Sequence, residues 1–207
     1  MVAVQTTEVR CARPVDLPAA RSVLARALAP DPLMDWIFGA HPQREEAVAA
    51  FLWGAVEAYV LAGTTWLAMD GERVIGAAAW SVPHTQLPAL DGGPTLPGRS
   101  MPDLLLPDAQ LAVVRSGFAA MRGQLPDEPH ALLHFLGVDA GRRGRGTGTT
   151  LVDTALAAIP AGLPAHVNTT VDVNVRFYEA RGFVHLSAVR LGERGPVMHA
   201  LRRPGEA

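Results

Sequence analysis

Apolar side chains recur along the chain at two different spacings, which predict an alternation of helices and strands. Residues 20–28 and 43–62 carry apolar side chains about every three to four positions, as on one face of a helix. The segments 64–69 and 73–82 have strand composition and are joined by Asp70-Gly71, a dipeptide typical of hairpin turns. The same criteria predict helices over 108–123, 150–159 and 172–182 and strands over 9–13, 130–138, 165–169, 183–191 and 196–201.

The order of these elements predicts an α/β (α+β) architecture, in which helices cover a mixed sheet. We interpret residues 1–207 as a single domain, because the chain has the length of one domain and shows no internal repeat. Residues 83–108 differ from the rest, since they are rich in proline and glycine and show no period. They are predicted to form a long inserted loop, a kind of segment that often carries function.

Composition narrows the class of protein. The hydrophobic fraction of 49% and the charged fraction of 18% are typical of a soluble globular domain. The net charge of −2 gives no electrostatic case for nucleic-acid binding, and no apolar run reaches the roughly 18 residues of a membrane helix. The beginning of the chain lacks a signal-peptide pattern, so we expect a cytoplasmic protein. The single cysteine, Cys11, excludes an internal disulfide, and its strand-like surroundings predict a buried, inert thiol.

The strongest candidate for chemistry is the segment LGVDAGRRGRGTGTT at 136–150, which lies between a predicted strand and a predicted helix. Backbone N–H groups at a helix N-terminus have no partner within the helix, and the helix dipole adds partial positive charge there. Glycines let a ligand approach these groups closely. The layout therefore predicts a site for a phosphate group.

The spacing within this loop decides which phosphate ligand it fits. A Walker A loop requires a lysine, and the chain contains none. A dinucleotide-binding GxGxxG motif fails because position 149 is threonine. The pattern that remains is Arg143-x-x-Gly146-x-Gly148, preceded by Leu136-Gly-Val138.

This pattern resembles the acetyl-coenzyme A motif of the GNAT superfamily of N-acetyltransferases, written [QR]-x-x-G-x-[GA]. The segment from Asn174 through Tyr178 to Gly182-Phe183 independently resembles the N-x-x-x-Y-x-x-x-G-F segment of that superfamily. The resemblance implies the GNAT fold, a mixed and mostly antiparallel central sheet of about seven strands flanked by helices, which splays between strands 4 and 5. Within the superfamily, Trp80-x-x-Pro83 and the two motifs are similar to puromycin N-acetyltransferase and related small-molecule enzymes.

The resemblance also implies an activity, the direct transfer of acetyl from acetyl-CoA to a primary amine of a small molecule. An antibiotic or another specialised metabolite is the expected acceptor, with no metal involved. The residues expected to hold acetyl-CoA are Leu136, Gly137, Val138, Arg143, Gly144, Arg145, Gly146, Thr147, Gly148, Thr149, Asn174 and Tyr178. A homodimer is a further expectation, because many members of the superfamily dimerise.

Proton transfer requires an acid and, in many members, a base. Tyr178 occupies the position of the acid that protonates the leaving thiolate. The position of the family's strand glutamate is here Leu132, which has no carboxylate. His134 on the same predicted strand is the preferred base, since an unperturbed histidine suits proton transfer at neutral pH. A hydrogen-bonded structural histidine and deprotonation by water alone are the alternatives.

The acceptor side has weaker signals. Asp35 and Trp36 offer a carboxylate for an ammonium group and an aromatic face for stacking. Trp80 and Asn168 are predicted at strand positions near the cleft, although the puromycin enzyme has glutamate where Asn168 stands. Trp53 and Trp66 are assigned to the core. The alternative functions are acetylation of a peptide or protein N-terminus, use of another acyl-CoA, and binding of an acyl-CoA without catalysis.

Overall fold

The computed structural model describes residues 7–83 and 105–205, which form one seven-stranded sheet with helices on both faces. The predicted loop at 83–108 falls mainly on residues 84–104, outside the described residues. The strands are β1 (Glu8–Cys11), β2 (Thr65–Asp70), β3 (Arg73–Ser81), β4 (Ala131–Val138), β5 (Ala165–Thr169), β6 (Val184–Arg190) and β7 (Val197–Arg203). The helices are α1 (Leu17–Leu28), α2 (Pro32–Phe38), α3 (Arg44–Leu61), α4 (Asp108–Arg122), α5 (Thr147–Ala157) and α6 (Asp172–Glu179).

The strand order is β1-β2-β3-β4-β5-β7-β6, and every neighbouring pair is antiparallel except β4 and β5. These two parallel strands pair only over Ala131–Leu133 and Ala165–Val167. β4 nevertheless continues along β3 as far as Val138. The second half of β4 therefore has an open edge, which confirms the mixed, mostly antiparallel sheet that splays between strands 4 and 5.

A bulge in β4 lies at the point of separation. Leu133 pairs with Trp80 and Phe135 with Ala79, so His134 is an extra residue in the ladder. The bulge changes which side chains share a face. Leu133 and Leu136 both pack against the α5 and α6 side, which strict alternation along a strand would not allow.

Two apolar clusters fill the two faces of the sheet. Valines and leucines of α1 and α3 pack on one face, and those of α5 pack on the other with Tyr178 and Phe183. α1 approaches the sheet very closely at Gly137, where a Cβ would lie 2.8 Å from the Cβ of Ala27 and 3.1 Å from a methyl of Leu24. A glycine is therefore required at this position for helix and strand to pack.

Replacing Gly137 by alanine should lower the free energy of unfolding by about 1–3 kcal/mol, because the new methyl group overpacks the contact with α1. Urea unfolding of the purified variant measures the change. Gly141→Ala is the matched control, since nothing lies within 4 Å of its Cβ position; it should change the stability by less than about 1 kcal/mol. Equal stability of Gly137→Ala and the parent would contradict the close packing.

Of three local features, the first is not predicted from the sequence and the other two differ from the expectation. The segment after Pro30 is a helix, α2, because the Asp31 side chain accepts from the Leu33 N–H at 2.8 Å and Pro32 suits the first turn. α5 begins at Thr147 rather than at residue 150. The prediction of a buried Cys11 is wrong, since the residue is exposed on β1, an edge strand with an exposed face. Within the described residues, no helix is long and apolar enough to span a membrane.

Candidate functional site

A cavity of about 710 Å³ opens where β4 leaves β5. Its walls are the second half of β4, the glycine loop with the start of α5, one side of α6, and the link from α1 to α2. All residues predicted to hold acetyl-CoA line this cavity except Arg145, which is exposed, and Thr147, which is buried beneath the loop. The local motifs thus come together around one space.

The first turn of α5 presents backbone donors to the cavity. Gly146 caps the helix with a φ of +84°, and the first helical bond of this turn runs from the Thr150 N–H to the Gly146 carbonyl. The N–H groups of the preceding residues of the helix, 147–149, therefore have no intrahelical acceptor. Gly144 also has a positive φ, of +72°, so the backbone of the loop follows a path that other residues rarely adopt. Together with the helix dipole, these donors form an anion site.

Arg143 fastens this loop to its surroundings. Its Nε donates to the Val138 carbonyl at 3.2 Å, and one terminal nitrogen donates to the Ala27 carbonyl at 3.0 Å. The guanidinium is thereby held at the cavity wall, where its charge acts on any anion at the loop.

Asp139, directly after β4, is a functional candidate that the sequence analysis missed. Its carboxylate is almost buried and accepts from Arg26 at 3.0 Å and from Arg73 at 2.8 Å, while its N–H donates to the Ile75 carbonyl. These contacts anchor the beginning of the glycine loop to α1 and β3. The arginines stand far away in the sequence, at positions that show no motif, so no local signal identifies the cluster.

The open edge of β4 offers backbone groups to the cavity. Because the Asp139 N–H points to β3, the alternation of backbone groups along a strand turns those of Leu136 and Val138 to the opposite edge. β5 no longer pairs at that edge, and both residues line the cavity. The N–H groups of Leu136 and Val138 therefore face the cavity. The carbonyl of Val138 points the same way and accepts a hydrogen bond from Arg143.

Tyr178 lies on α6 with 4% of its surface exposed, and it lines the cavity. Its ring packs edge-on against Phe177 and Phe183, at centroid distances of 5.0 and 5.7 Å. Burial, with a smaller contribution from the negative charge of Asp31, raises the pKa of its phenol, while Arg181 acts in the opposite direction. The hydroxyl is consequently protonated and able to donate at neutral pH.

Side-chain contacts connect α6, which carries Tyr178, with its neighbours. Asn174 lines the cavity, and its Nδ2 donates to the Thr169 hydroxyl at 3.3 Å. Arg181 stacks over the Phe177 ring at 3.8 Å, donates to the Thr149 hydroxyl and pairs with Asp153 at 3.3 Å. Arg181 thus connects α6 with the N-terminal turn of α5.

Asp31 is the second residue that the sequence analysis missed. One oxygen of its carboxylate accepts from the Leu33 N–H at 2.8 Å and from the Thr170 hydroxyl at 2.7 Å, so Asp31 bridges α2 and the loop after β5. The residue lines the cavity and is close enough to act on the pKa of Tyr178. Asp31 lies between two prolines after α1, and this position predicts a helix cap from the sequence alone. It does not predict that the residue lines the cavity.

His134 occupies the bulge of β4, and its pKa differs from the expected value. Desolvation by the surrounding protein lowers the pKa of the imidazole to about 4, although the residue keeps exposed surface. His134 is therefore neutral at pH 7 but much less basic than an unperturbed histidine. The ring is covered at Nδ1, which lies 2.6 Å from the Tyr59 hydroxyl, and on the face that stacks on Phe135.

None of the four predicted acceptor-side residues is among the described residues that line this cavity. Asp35 is exposed and forms an ion pair with Arg44 at 2.8 Å, while Trp36 packs against Gly117 of α4. Trp80 has no exposed surface, because its strand position faces the apolar cluster beneath α5. Asn168 is half-buried on β5 beside β7. That these four contact an acceptor stays a prediction.

The two remaining tryptophans lie at the edge of the core rather than inside it. Trp53 is half-buried under the guanidinium of Arg21, 4.5 Å from the ring centroid, and Trp66 packs at the margin of the cluster under α5. Within residues 7–83 and 105–205, no group of His, Cys, Asp and Glu side chains is arranged to hold a metal ion.

Comparison with known proteins adds independent information. The family profile described as "Acetyltransferase (GNAT) family" matches residues 30–183. A Corynebacterium glutamicum structure described as histone acetyltransferase HPA2 and related acetyltransferase shares 22% identity at a TM-score of 0.71, with 98% of each chain covered. Drosophila melanogaster polyamine N-acetyltransferase shares 19% identity at a TM-score of 0.60, covering 96% of this chain and 100% of that one. Mosquito arylalkylamine N-acetyltransferase like 5b shares 17% identity at 0.58, with the same coverage. The structures show a shared fold.

Proposed function

The chain belongs to the GNAT family of acetyltransferases, and we propose that it transfers acetyl directly from acetyl-CoA to a primary amine of a small molecule. The observation that carries this proposal is the cavity in the splay of β4 and β5, which joins an anion site, an open strand edge and a protonated phenol. A ligand that carries phosphates, amides and a thioester needs all three: an anion site for the phosphates, a strand edge for the amides and a proton donor for the thioester sulfur.

The residues fit acetyl-CoA, the co-substrate of the family. The N–H groups at the start of α5, with Arg143, would hold the pyrophosphate. The free N–H groups of Leu136 and Val138 would bond the amides of the pantetheine arm, with Asn174 on the opposite wall. When bound, acetyl-CoA supplies an activated acetyl thioester.

The chain's own residues manage the protons of the reaction. As the C–N bond forms and the C–S bond breaks, the amine loses a proton and the sulfur gains one. Tyr178 would supply a proton or a strong hydrogen bond at the leaving sulfur. A backbone N–H on the edge of β4 would donate to the carbonyl oxygen of the thioester, in the manner of an oxyanion hole.

Asp31 is the better placed group to receive the proton of the amine. It carries a carboxylate on the cavity wall, and its second oxygen is not engaged by the two bonds that hold the first. A negative charge there would also attract an ammonium group. The alternative acceptors of this proton are His134 and bulk water.

The acceptor class is proposed as small primary amines. The Drosophila structure is described as that of an enzyme that forms N-acetylagmatine. Agmatine, the amine that gives this product, is therefore a first candidate acceptor for this chain. Amino-bearing antibiotics, including aminonucleosides, are the second group to test, because of the resemblance to puromycin N-acetyltransferase. An assay of thiol release from acetyl-CoA compares both groups of amines with peptides that have a free N-terminus. It thereby distinguishes small-molecule acceptors from peptide acceptors. Longer acyl-CoA donors in the same assay test the alternative donor.

Acetyl-CoA should raise the melting temperature of the protein, because a ligand that binds only the folded state stabilises it. At a concentration of 100 times Kd the gain is about 2.7 kcal/mol. Differential scanning fluorimetry with acetyl-CoA, and with adenosine as a control that lacks the pyrophosphate and the pantetheine arm, measures the shift. An unchanged melting temperature at millimolar acetyl-CoA would contradict the proposed donor site. A shift without thiol release from any amine would indicate a binding protein.

A further inference from the structure

Tyr59 and His134 form a partly buried contact that the proposed chemistry leaves unexplained. The Tyr59 hydroxyl comes from α3, and His134 comes from the bulge of β4, 75 positions later in the chain. Oxygen and Nδ1 are 2.6 Å apart, a distance typical of a strong hydrogen bond. Tyr59 is only 5% exposed, so the pair is shielded on that side.

The contacts around the pair leave one edge of the imidazole without a partner within the described part of the chain. Tyr59 covers the Nδ1 edge, and Phe135 stacks on a face of the ring at a centroid distance of 4.3 Å. His134 nevertheless keeps exposed surface. Nε2, at the opposite edge of the ring, has no hydrogen-bond partner among residues 7–83 and 105–205. Leu136, two residues further along β4, lines the cavity, so the backbone of His134 lies about 7 Å from the donor site along the strand.

The direction of the hydrogen bond follows from the acidity of the two groups. A phenol is a far stronger acid than the N–H of a neutral imidazole and is the better donor. Burial lowers the pKa of His134 to about 4 and raises the pKa of Tyr59 to about 12, so both groups are neutral over the working range. Ser81 acts in the opposite direction on the pKa of Tyr59, as a donor to its oxygen does. Tyr59 therefore donates to Nδ1, which leaves the hydrogen of the neutral imidazole on Nε2.

We propose that Tyr59 is a positioning residue that fixes His134 as the Nε2–H tautomer, so that the imidazole donates a hydrogen bond to the acceptor molecule. The proposal rests on the acetyltransferase function stated above and adds a determinant of acceptor choice. With hydrogen on Nε2, this nitrogen has no lone pair to take the proton of the amine. His134 instead recognises an oxygen atom of the acceptor. The favoured acceptors are thus amines that also carry a hydroxyl, ether or carbonyl oxygen.

The tautomer is tested without any substrate. Nitrogen-15 NMR of the imidazole distinguishes a nitrogen that carries hydrogen from one that accepts a bond, and the His134→Gln variant assigns the signals by their loss. We expect Nε2 to carry the hydrogen in the parent protein at pH 7, and the tautomers to mix in Tyr59→Phe. A parent protein with hydrogen on Nδ1 would overturn the proposal, whether or not the protein acetylates amines.

Acceptor choice is tested by the ratio of kcat/KM for an oxygen-bearing amine and its deoxy counterpart. His134→Gln and Tyr59→Phe should each lower this ratio about tenfold, the effect of about 1.4 kcal/mol, mainly through the KM of the amine. His185→Gln, which alters a histidine paired with His199 on β6 and β7, should leave the ratio unchanged. An unaltered ratio in the Tyr59 variant, with acetyl transfer intact, would overturn the proposal. Absence of transfer to every amine would instead refute the proposed function, while the NMR result stands on its own.

Discussion

Tyr178→Phe should lower kcat by about 10²–10⁴-fold while the affinity for acetyl-CoA is kept. The substitution removes only the hydroxyl, and the ring keeps its edge-on contacts with Phe177 and Phe183. Because burial raises the pKa of this phenol, the proton is present throughout the accessible pH range. The alkaline side of the parent pH profile should accordingly show no loss of rate from Tyr178 below about pH 10, the ordinary value for tyrosine.

Steady-state kinetics and acetyl-CoA titration by calorimetry measure these two quantities, and an unchanged melting temperature shows that the variant is folded. Tyr59→Phe is the natural comparison, since Tyr59 is the only other tyrosine of the chain. In Tyr59→Phe, the loss of activity should appear as a higher KM for the amine rather than as a lower kcat. A Tyr178→Phe variant with parental kcat would remove Tyr178 as the acid.

The segments proposed to hold acetyl-CoA are predictable from sequence because their determinants are local. A glycine loop at a helix N-terminus creates an anion site through backbone geometry, and that geometry is set by adjacent residues. The loop from Arg143 to Thr149 and the helix from Asn174 to Tyr178 each form from one continuous segment. The sheet order then brings both segments to the same cavity, as the splay of β4 and β5 shows.

The acceptor half is less predictable because tertiary contacts decide the state of each side chain. Asp35 has the right charge, but Arg44 pairs with it on the outer surface. Trp80 lies on a strand near the cleft, yet its face of the sheet is covered by α5. His134 has the right chemistry for a base, but the surrounding protein lowers its pKa to about 4. None of these effects has a signal in the neighbouring sequence.

Asp31 is a residue for which the sequence predicts one of two contacts. An aspartate before Pro32 at the start of a helical segment predicts a cap, and the structure has that cap. Its second bond comes from Thr170, which follows β5 and is 139 positions away. Only the packing of α2 against the loop after β5 places this carboxylate on the cavity wall.

Asp31→Asn should lower kcat/KM for the amine by about 10²-fold at neutral pH, the usual contribution of a positioned base. The amide oxygen of asparagine still accepts from the Leu33 N–H, and asparagine is as good a helix cap as aspartate, so the fold is kept. The rate of the variant should recover as the pH rises, because bulk solvent then deprotonates the amine. Steady-state rates from pH 6 to pH 10 test both effects.

Asp35→Asn is the matched control, because it makes the same change of charge one turn further along α2. Asp35 points to solvent and pairs with Arg44, so its neutralisation should leave kcat/KM within about threefold of the parent, as expected for a surface ion pair worth less than about 1 kcal/mol. Equal losses in both variants would show that the net charge of α2 attracts the amine and that no single carboxylate receives its proton. A loss at Asp35 alone would move the acceptor site to the outer face of α2. A loss at Asp31 alone that disappears at high pH assigns proton transfer to the carboxylate that bridges α2 and Thr170.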